Sequence, residues 1–279
     1  MPDVDLPRPH PLLTPLRDLL SGKDDTVTLD VAALGLASIE FPELDADASL
    51  RKLDSHAAAV AKRVPPNAKG RDFIAAANAF LFGELGLRGN ADNYYDPHNS
   101  CLNVVIEGHA GIPITLSVLY MELARRLDRP MRGIGLPGHF IVQYDDGEYS
   151  AYLDPFHEGA VLTDADCYKL AQASRPDPAL LAPVTPRQIL SRMANNLRGI
   201  YFSQRAYVKA VQLLNLLIEA APESADEYKQ RGLVYLQTKS LRQSIADLQR
   251  YLVLAPDAAD RAQIEEQIRT VARWLATLN

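Results

Sequence analysis

Residues 111–144 read GIPITLSVLYMELARRLDRPMRGIGLPGHFIVQY, and residues 152–156 read YLDPF. Pro113 suits the first turn of a helix, where its missing N–H costs nothing. From Ile114 to Leu127 the chain is almost wholly apolar until Arg125-Arg126. A helix apolar nearly all round belongs in the centre of a core. After Pro130 the period changes. MRGIGL, HFIVQY and SAYLDPF are short apolar or alternating runs, and DDGE between the last two is a hairpin signal. Residues 131–155 are therefore expected to form at least three strands of a small antiparallel sheet. Helices followed by strands is the α+β pattern.

Toward the N-terminus, residues 29–63 are helical in pattern and interrupted by Pro42. Asp45 or Asp47 is placed to cap the second segment, where Leu50, Leu53, Ala57 and Val60 recur at helical spacing and Pro65-Pro66 marks the end. Residues 70–86 form another amphipathic helix, with Phe73, Ala77, Phe80 and Leu81 on one side. Residues 1–28 carry Pro2, Pro7, Pro9, Pro11 and Pro15 and read as an arm with one short helix at most, outside the core.

From residue 185 onward the chain is helical again and repeats itself. A shift of 34 residues lays Tyr201 on Tyr235, Ala210 on Ser244, Leu214 on Leu248 and Pro222 on Pro256. Gly232 holds the early small position of the second copy, and Arg198 stands there in the first. That period and residue pattern resemble the tetratricopeptide repeat. Two copies and a terminal helix over residues 260–278 are too few for a long solenoid, so they are expected to lean on the first domain.

The 279 residues are 47% hydrophobic and 23% charged, enough for a core without disulfides or metal staples. No run of about 18 uncharged apolar residues suggests a membrane span. The net charge of −6 argues against nucleic acid as partner. Residues 1–186 hold 16 Lys+Arg against 26 Asp+Glu, a net of −10, and residues 187–279 hold 13 against 9, a net of +4. The step hints at two domains. Only Cys101 and Cys167 occur, and MPDVDLPRPHPLL lacks the basic-then-apolar pattern of a secretory signal, so a cytoplasmic location with free thiols is the expectation.

His139, opening a strand after Gly138, and Asp154, at the end of the next strand, can be neighbours on adjacent antiparallel strands. An Asp beside an imidazole fixes its tautomer and stabilises its charged form. A helix N-terminus such as 111–113 is where a thiol would have its pKa lowered. This is the geometry of Cys-His-Asp acyl transfer. The same pair can equally serve only to rigidify two strands.

The combination of NYYDPHNSCLNVVIEGHAGIPITLSVLY, LPGHF, YLDPF and NNLRGIYF resembles the transglutaminase-like superfamily, and more narrowly the bacterial SirB family, over roughly residues 30–260. The resemblance implies an α+β transglutaminase-like domain, with helices packed on a small antiparallel sheet, followed by an all-α tetratricopeptide-repeat domain. The expected boundaries are 1–28 for the arm, 29–184 for the first domain and 185–279 for the repeats. It also implies that His139 and Asp154 fall on the catalytic His and Asp, and that Pro113 falls on the nucleophilic Cys. Proline has nothing with which to attack a carbonyl.

Cys101 is the alternative thiol, although a free Cys among LNVVI is also an ordinary small hydrophobe. Cys167 has no His nearby in sequence. Thr115 is the nearer hydroxyl, with cap or carbonyl bonding as its structural use. Tyr94, Tyr95, Asp96, His98 and Asn99 are candidate binding residues lining a cleft with His139, or else turn and cap chemistry. His109 and His157 flank the same elements without a ligand role. Asn195-Asn196 are read as amides cross-linking the domains, and Arg125, Arg126 and Arg129 as the solvated end of the buried helix. No cofactor and no metal is expected. The expected function is a catalytically inactive adaptor that binds a protein or peptide, without membrane or nucleic-acid contact. The alternative is a cysteine peptidase, acyltransferase or hydrolase using His139, Asp154 and Cys101.

Overall fold

The computed structural model describes residues 8–65 and 68–277, so the expectations placed on Pro2, Pro7, Pro66 and the last residues of the terminal helix lie outside it. The central element is the helix expected from residues 113–126. α1 (Leu13–Ser21), α2 (Leu29–Ala37), α3 (Ala46–Ala61), α4 (Gly70–Asn78) and α5 (Leu102–Ile106) precede α6 (Pro113–Arg126). α6 begins on Pro113 and packs against α2, α3, α5 and the sheet. Its residues from Pro113 to Tyr120 are all buried. Asp45 caps α3, its carboxylate accepting from Ala48 N–H at 2.8 Å. The single helix expected over 70–86 instead relaxes into a π-helical turn, Ala79–Glu84, after α4.

The sheet is antiparallel in the order β1 (Met131–Ile134), β2 (Ile141–Asp145), β3 (Ser150–Asp154), β4 (Ala160–Leu162). Val142 pairs with Leu153 and Gln143 with Tyr152, so Asp154 lies at the end of β3 nearest the chain entering β2. α7 (Asp164–Leu170) closes this domain, with Cys167 under the sheet beside Ile134, Leu136 and Ile141.

α8 (Pro186–Ser203) pairs with α9 (Tyr207–Ala220), α10 (Ala225–Gln237) with α11 (Leu241–Leu254), and α12 (Arg261–Thr277) packs on α11. Tyr201, Tyr235, Ala210, Ser244, Leu214 and Leu248, the residues that defined the repeat, are all buried. Gly232 shows why a small residue is needed: a Cβ there would lie 3.0 Å from Leu248 Cγ, and Ser244 Oγ donates to the Gly232 carbonyl at 2.8 Å. Arg198, in the first copy, reaches across to Glu227 at 2.8 Å.

Two expectations are corrected. The proline-rich arm contains a core element: α1 buries Leu16 and Leu19 against α2 and α9, and so joins the two halves of the chain. Arg126 is not a solvated helix end. Its guanidinium is largely buried and meets Asp30 at 2.6 Å, Asp54 at 2.6 Å and Glu122 at 3.1 Å. Arg125 meets Glu122 at 2.7 Å, and Arg129 stacks over Phe73. A buried helix cannot leave these carboxylates unpaired.

Glu122 and Asp30 compete in that cluster. Burial, then the neighbouring Asp30, pushes the Glu122 carboxyl up to about 7. Burial opposes ionisation of Asp30 too, but hydrogen bonds from Thr28 and Arg126 outweigh it and hold its carboxyl below the ordinary range. Since Glu122 is raised on folding, the stability it contributes is complete below its unfolded pKa and is lost as pH rises through about 7. Asp30 contributes in the opposite sense, and only at acid pH. Between pH 5 and 8 the wild-type chain should therefore lose stability relative to Glu122→Gln, by on the order of 1 kcal/mol. Parallel melting curves for the two proteins across that range would contradict this.

Candidate functional site

His139 is delivered by a tight turn. Gly138, at φ +71°, takes the left-handed conformation that reverses the chain, and His139 N–H donates to the Leu136 carbonyl at 3.3 Å. His139 thus sits two residues ahead of β2 rather than opening it. Two bonds from the repeat region hold this turn. Arg192 of α8 donates to the Leu136 and His139 carbonyls, each at 2.8 Å, and stacks over Phe140.

Across the strand pair, Asp154 is 1% exposed and every one of its oxygens is engaged. Oδ1 accepts from Phe156 N–H at 3.0 Å, capping the 3-10 turn Pro155–His157. Oδ2 accepts from His139 Nε2 at 2.9 Å and from His157 Nδ1 at 2.7 Å. Burial alone would raise this carboxyl, but the two imidazoles outweigh it and hold it below the ordinary Asp range. An ionised carboxylate only accepts, so both facing ring nitrogens carry hydrogen. His139 is left with Nδ1 as its basic nitrogen, the arrangement of a general base with its orienting acid.

The aromatic surroundings come from the 92–99 loop. Tyr94 packs edge-on to Phe156 (6.4 Å), which packs edge-on to His139 (6.1 Å), and Tyr95 stands against Tyr94, 70% exposed. The loop's polar residues hold the loop itself. Asp96 accepts from His98 N–H and Asn93 Nδ2, and Asn99, buried, donates to the Asn93 and Tyr94 carbonyls. His98 faces the other way, against Phe41. His109 is exposed.

Neither thiol makes a hydrogen bond to His139 or Asp154 among the described residues. Pro113 is the first residue of α6. Cys101 is fully buried, its S–H donates to the Pro97 carbonyl at 3.4 Å, and burial, then Glu40, pushes the thiol far up. Its neighbours are Glu40, Lys209, Asp96 and Tyr201 rather than His139. Burial pushes Cys167 up to about 12. Thr115 and Ser117 are buried with hydroxyls that find no partner among the described residues, so Thr115 neither caps the helix nor lines an open cleft. Asn195 and Asn196 make no side-chain hydrogen bond among the described residues, and Arg192 supplies the domain link instead. Sequence reasoning missed three participants. Arg192 left no signal. Phe156 and His157 were legible only as the spacing Asp154-Pro155-Phe156-His157, which brings a third side chain back to the capping Asp.

A central helix, a short antiparallel sheet carrying a His–Asp pair, and paired helices behind them define a transglutaminase-like domain joined to helical repeats. The comparisons agree. Residues 47–195 match the model of the transglutaminase-like superfamily, and the chain belongs to that superfamily; residues 197–269 match the model of the tetratricopeptide repeat. It is 35% identical to a UPF0162 protein of Xylella fastidiosa strain Temecula1, over 88% of this chain and 90% of that one. It is 27% identical to a UPF0162 protein of Pseudomonas aeruginosa, over 86% and 90%. Mouse F-box only protein 21 shares 32% identity over 45% of this chain, which is 21% of its own length. No solved structure matches.

If the thiols are as inert as their burial requires, a disulfide reagent should label neither Cys101 nor Cys167 in the native protein and both in denaturant. Rapid native labelling of Cys101, measured by mass spectrometry, would contradict this placement.

Proposed function

We propose that this protein is a non-catalytic binding protein, which engages a protein or peptide segment through the surface around His139 and through its helical repeats. The observation that carries the reading is Pro113 at the first turn of α6, in the place the family resemblance gives to the nucleophile, with both thiols buried elsewhere. The Tyr95–Tyr94–Phe156 row supplies an aromatic surface beside a fixed His–Asp pair, suited to an extended peptide. Tetratricopeptide arrays offer grooves between helices. Here a cavity of about 410 Å³ lies between Asn215, Arg231, Tyr235 and Asp247. The net charge of +4 over residues 187–279 favours an acidic segment as the partner of the repeats as a whole. Among the described residues no helix is long and apolar enough to cross a membrane. Such a protein, similar to the SirB family, would work in the cytoplasm, where its two thiols stay free.

A second reading, a hydrolase in which His139 activates water, is favoured by the intact 2.9 Å bond to Asp154. Activity separates the two. The purified chain should show no peptidase, amidase or acyl-transfer turnover above buffer, and turnover that His139→Ala abolishes would overturn the binding reading. A second test addresses the empty nucleophile slot. Pro113→Cys should create a thiol that iodoacetamide labels in the native protein, at a rate that falls when His139→Ala is added. An inert thiol would show that Pro113 does not stand where the nucleophile would.

A further inference from the structure

The family pattern uses one histidine on the Asp, but this chain brings two. His139 Nε2, Asp154 Oδ2 and His157 Nδ1 all lie within 4.8 Å of one another. They come from two pieces of backbone: the turn before β2, and the end of β3 where it runs into the 3-10 turn. We propose that these three atoms form a binding site for one divalent transition-metal ion of the zinc type.

The donor set is the first argument. Two imidazole nitrogens and one carboxylate oxygen suit zinc and its neighbours in the first transition row, whereas calcium and magnesium take oxygen. Three protein ligands leave a further position for water or for a carboxylate of a bound segment.

Spacing is the second. On a tetrahedral ion with bonds of about 2.1 Å, ligand atoms sit about 3.4 Å apart. The two N···O separations here are 2.9 and 2.7 Å, so they would open by about 0.5 and 0.7 Å. In the neutral imidazoles the hydrogens now facing Asp154 pass to the other ring nitrogens, a tautomer change that frees both facing lone pairs.

Preorganisation is the third. Phe156 N–H pins Oδ1, leaving Oδ2 as the oxygen turned to both rings. The loop after His157 is folded tightly: Glu158 (φ 54°) and Gly159 (φ 71°) are left-handed, and Gly159 N–H returns to the Asp154 carbonyl at 2.8 Å. The Gly159 carbonyl accepts from Asn78 at 2.9 Å, and Asn78 in turn accepts from Tyr120 of α6 at 2.9 Å. The central helix therefore supports the turn that carries His157. Arg192 supports the turn that carries His139. Such outer bonds are what hold metal ligands in place. His157 is 60% exposed, which gives an ion a way in.

The proposal stands independently of the binding reading, and its test does not measure turnover or partner capture. The full chain, stripped with chelator, is titrated with Zn²⁺ by calorimetry and with Co²⁺ by visible absorption. One ion per chain is expected, with the intense cobalt bands of four-coordination. His157→Ala, at an exposed position that the fold tolerates, should weaken binding at least tenfold and remove those bands. His139→Ala should do the same, while His98→Ala should leave both unchanged. Circular dichroism checks that each variant is folded. Absence of stoichiometric binding by the wild-type chain, or binding that survives His157→Ala undiminished, would overturn the site.

Discussion

A carboxylate with 1% exposure must find hydrogen-bond donors or lose its charge. Asp154 finds three, and the local architecture follows from them. The Phe156 N–H starts a 3-10 turn directly after β3. The His139 ring is fixed in one orientation and one tautomer. The His157 ring is drawn back over the same oxygen. Had the end of β3 been apolar, neither turn would have reason to converge there. The pair usually described as acid–base machinery is therefore also the fastening of the sheet's edge, and both uses have one physical cause.

The second constraint is that the repeat region is not a detachable appendage. One hydrophobic core runs from α2 and α6 through Ile189, Met193 and Leu197 of α8 to Leu213 of α9. α1 lies on both halves, Lys209 meets buried Glu40 at 2.7 Å, and Arg192 holds the two carbonyls that shape the His139 turn. The match to the superfamily model runs to residue 195, inside α8, and the repeat match begins at 197. The helix belongs to both units.

Much of this was legible in the residues. The uninterrupted apolar run after Pro113 specifies a buried helix because no other structure hides such a stretch. The alternation after Pro130 specifies strands, and the 34-residue period specifies paired helices. The Asp45 cap and the small positions at Gly232 and Ser244 follow from local rules of the same kind. The arm was misjudged because five prolines among the first fifteen residues obscure the short periodic run that buries Leu16 and Leu19. Arg126, at the end of α6, was misjudged because helix-dipole reasoning sees only the helix's own charges and not Asp30, some ninety residues earlier.

The sequence alone determined the α+β-then-helical order, the presence of a His and an Asp beside facing strands, and a proline that opens the central helix. These depend on periodicity and on residue chemistry, which a linear chain carries openly. The tertiary structure decided which nitrogen of His139 faces Asp154, that His157 shares that oxygen, that Cys101 is sealed away from both, and that Arg192 braces the turn. Except for His157, which is only three residues from Asp154, each of these is a matter of distance between segments far apart in the chain, set by how the core packs.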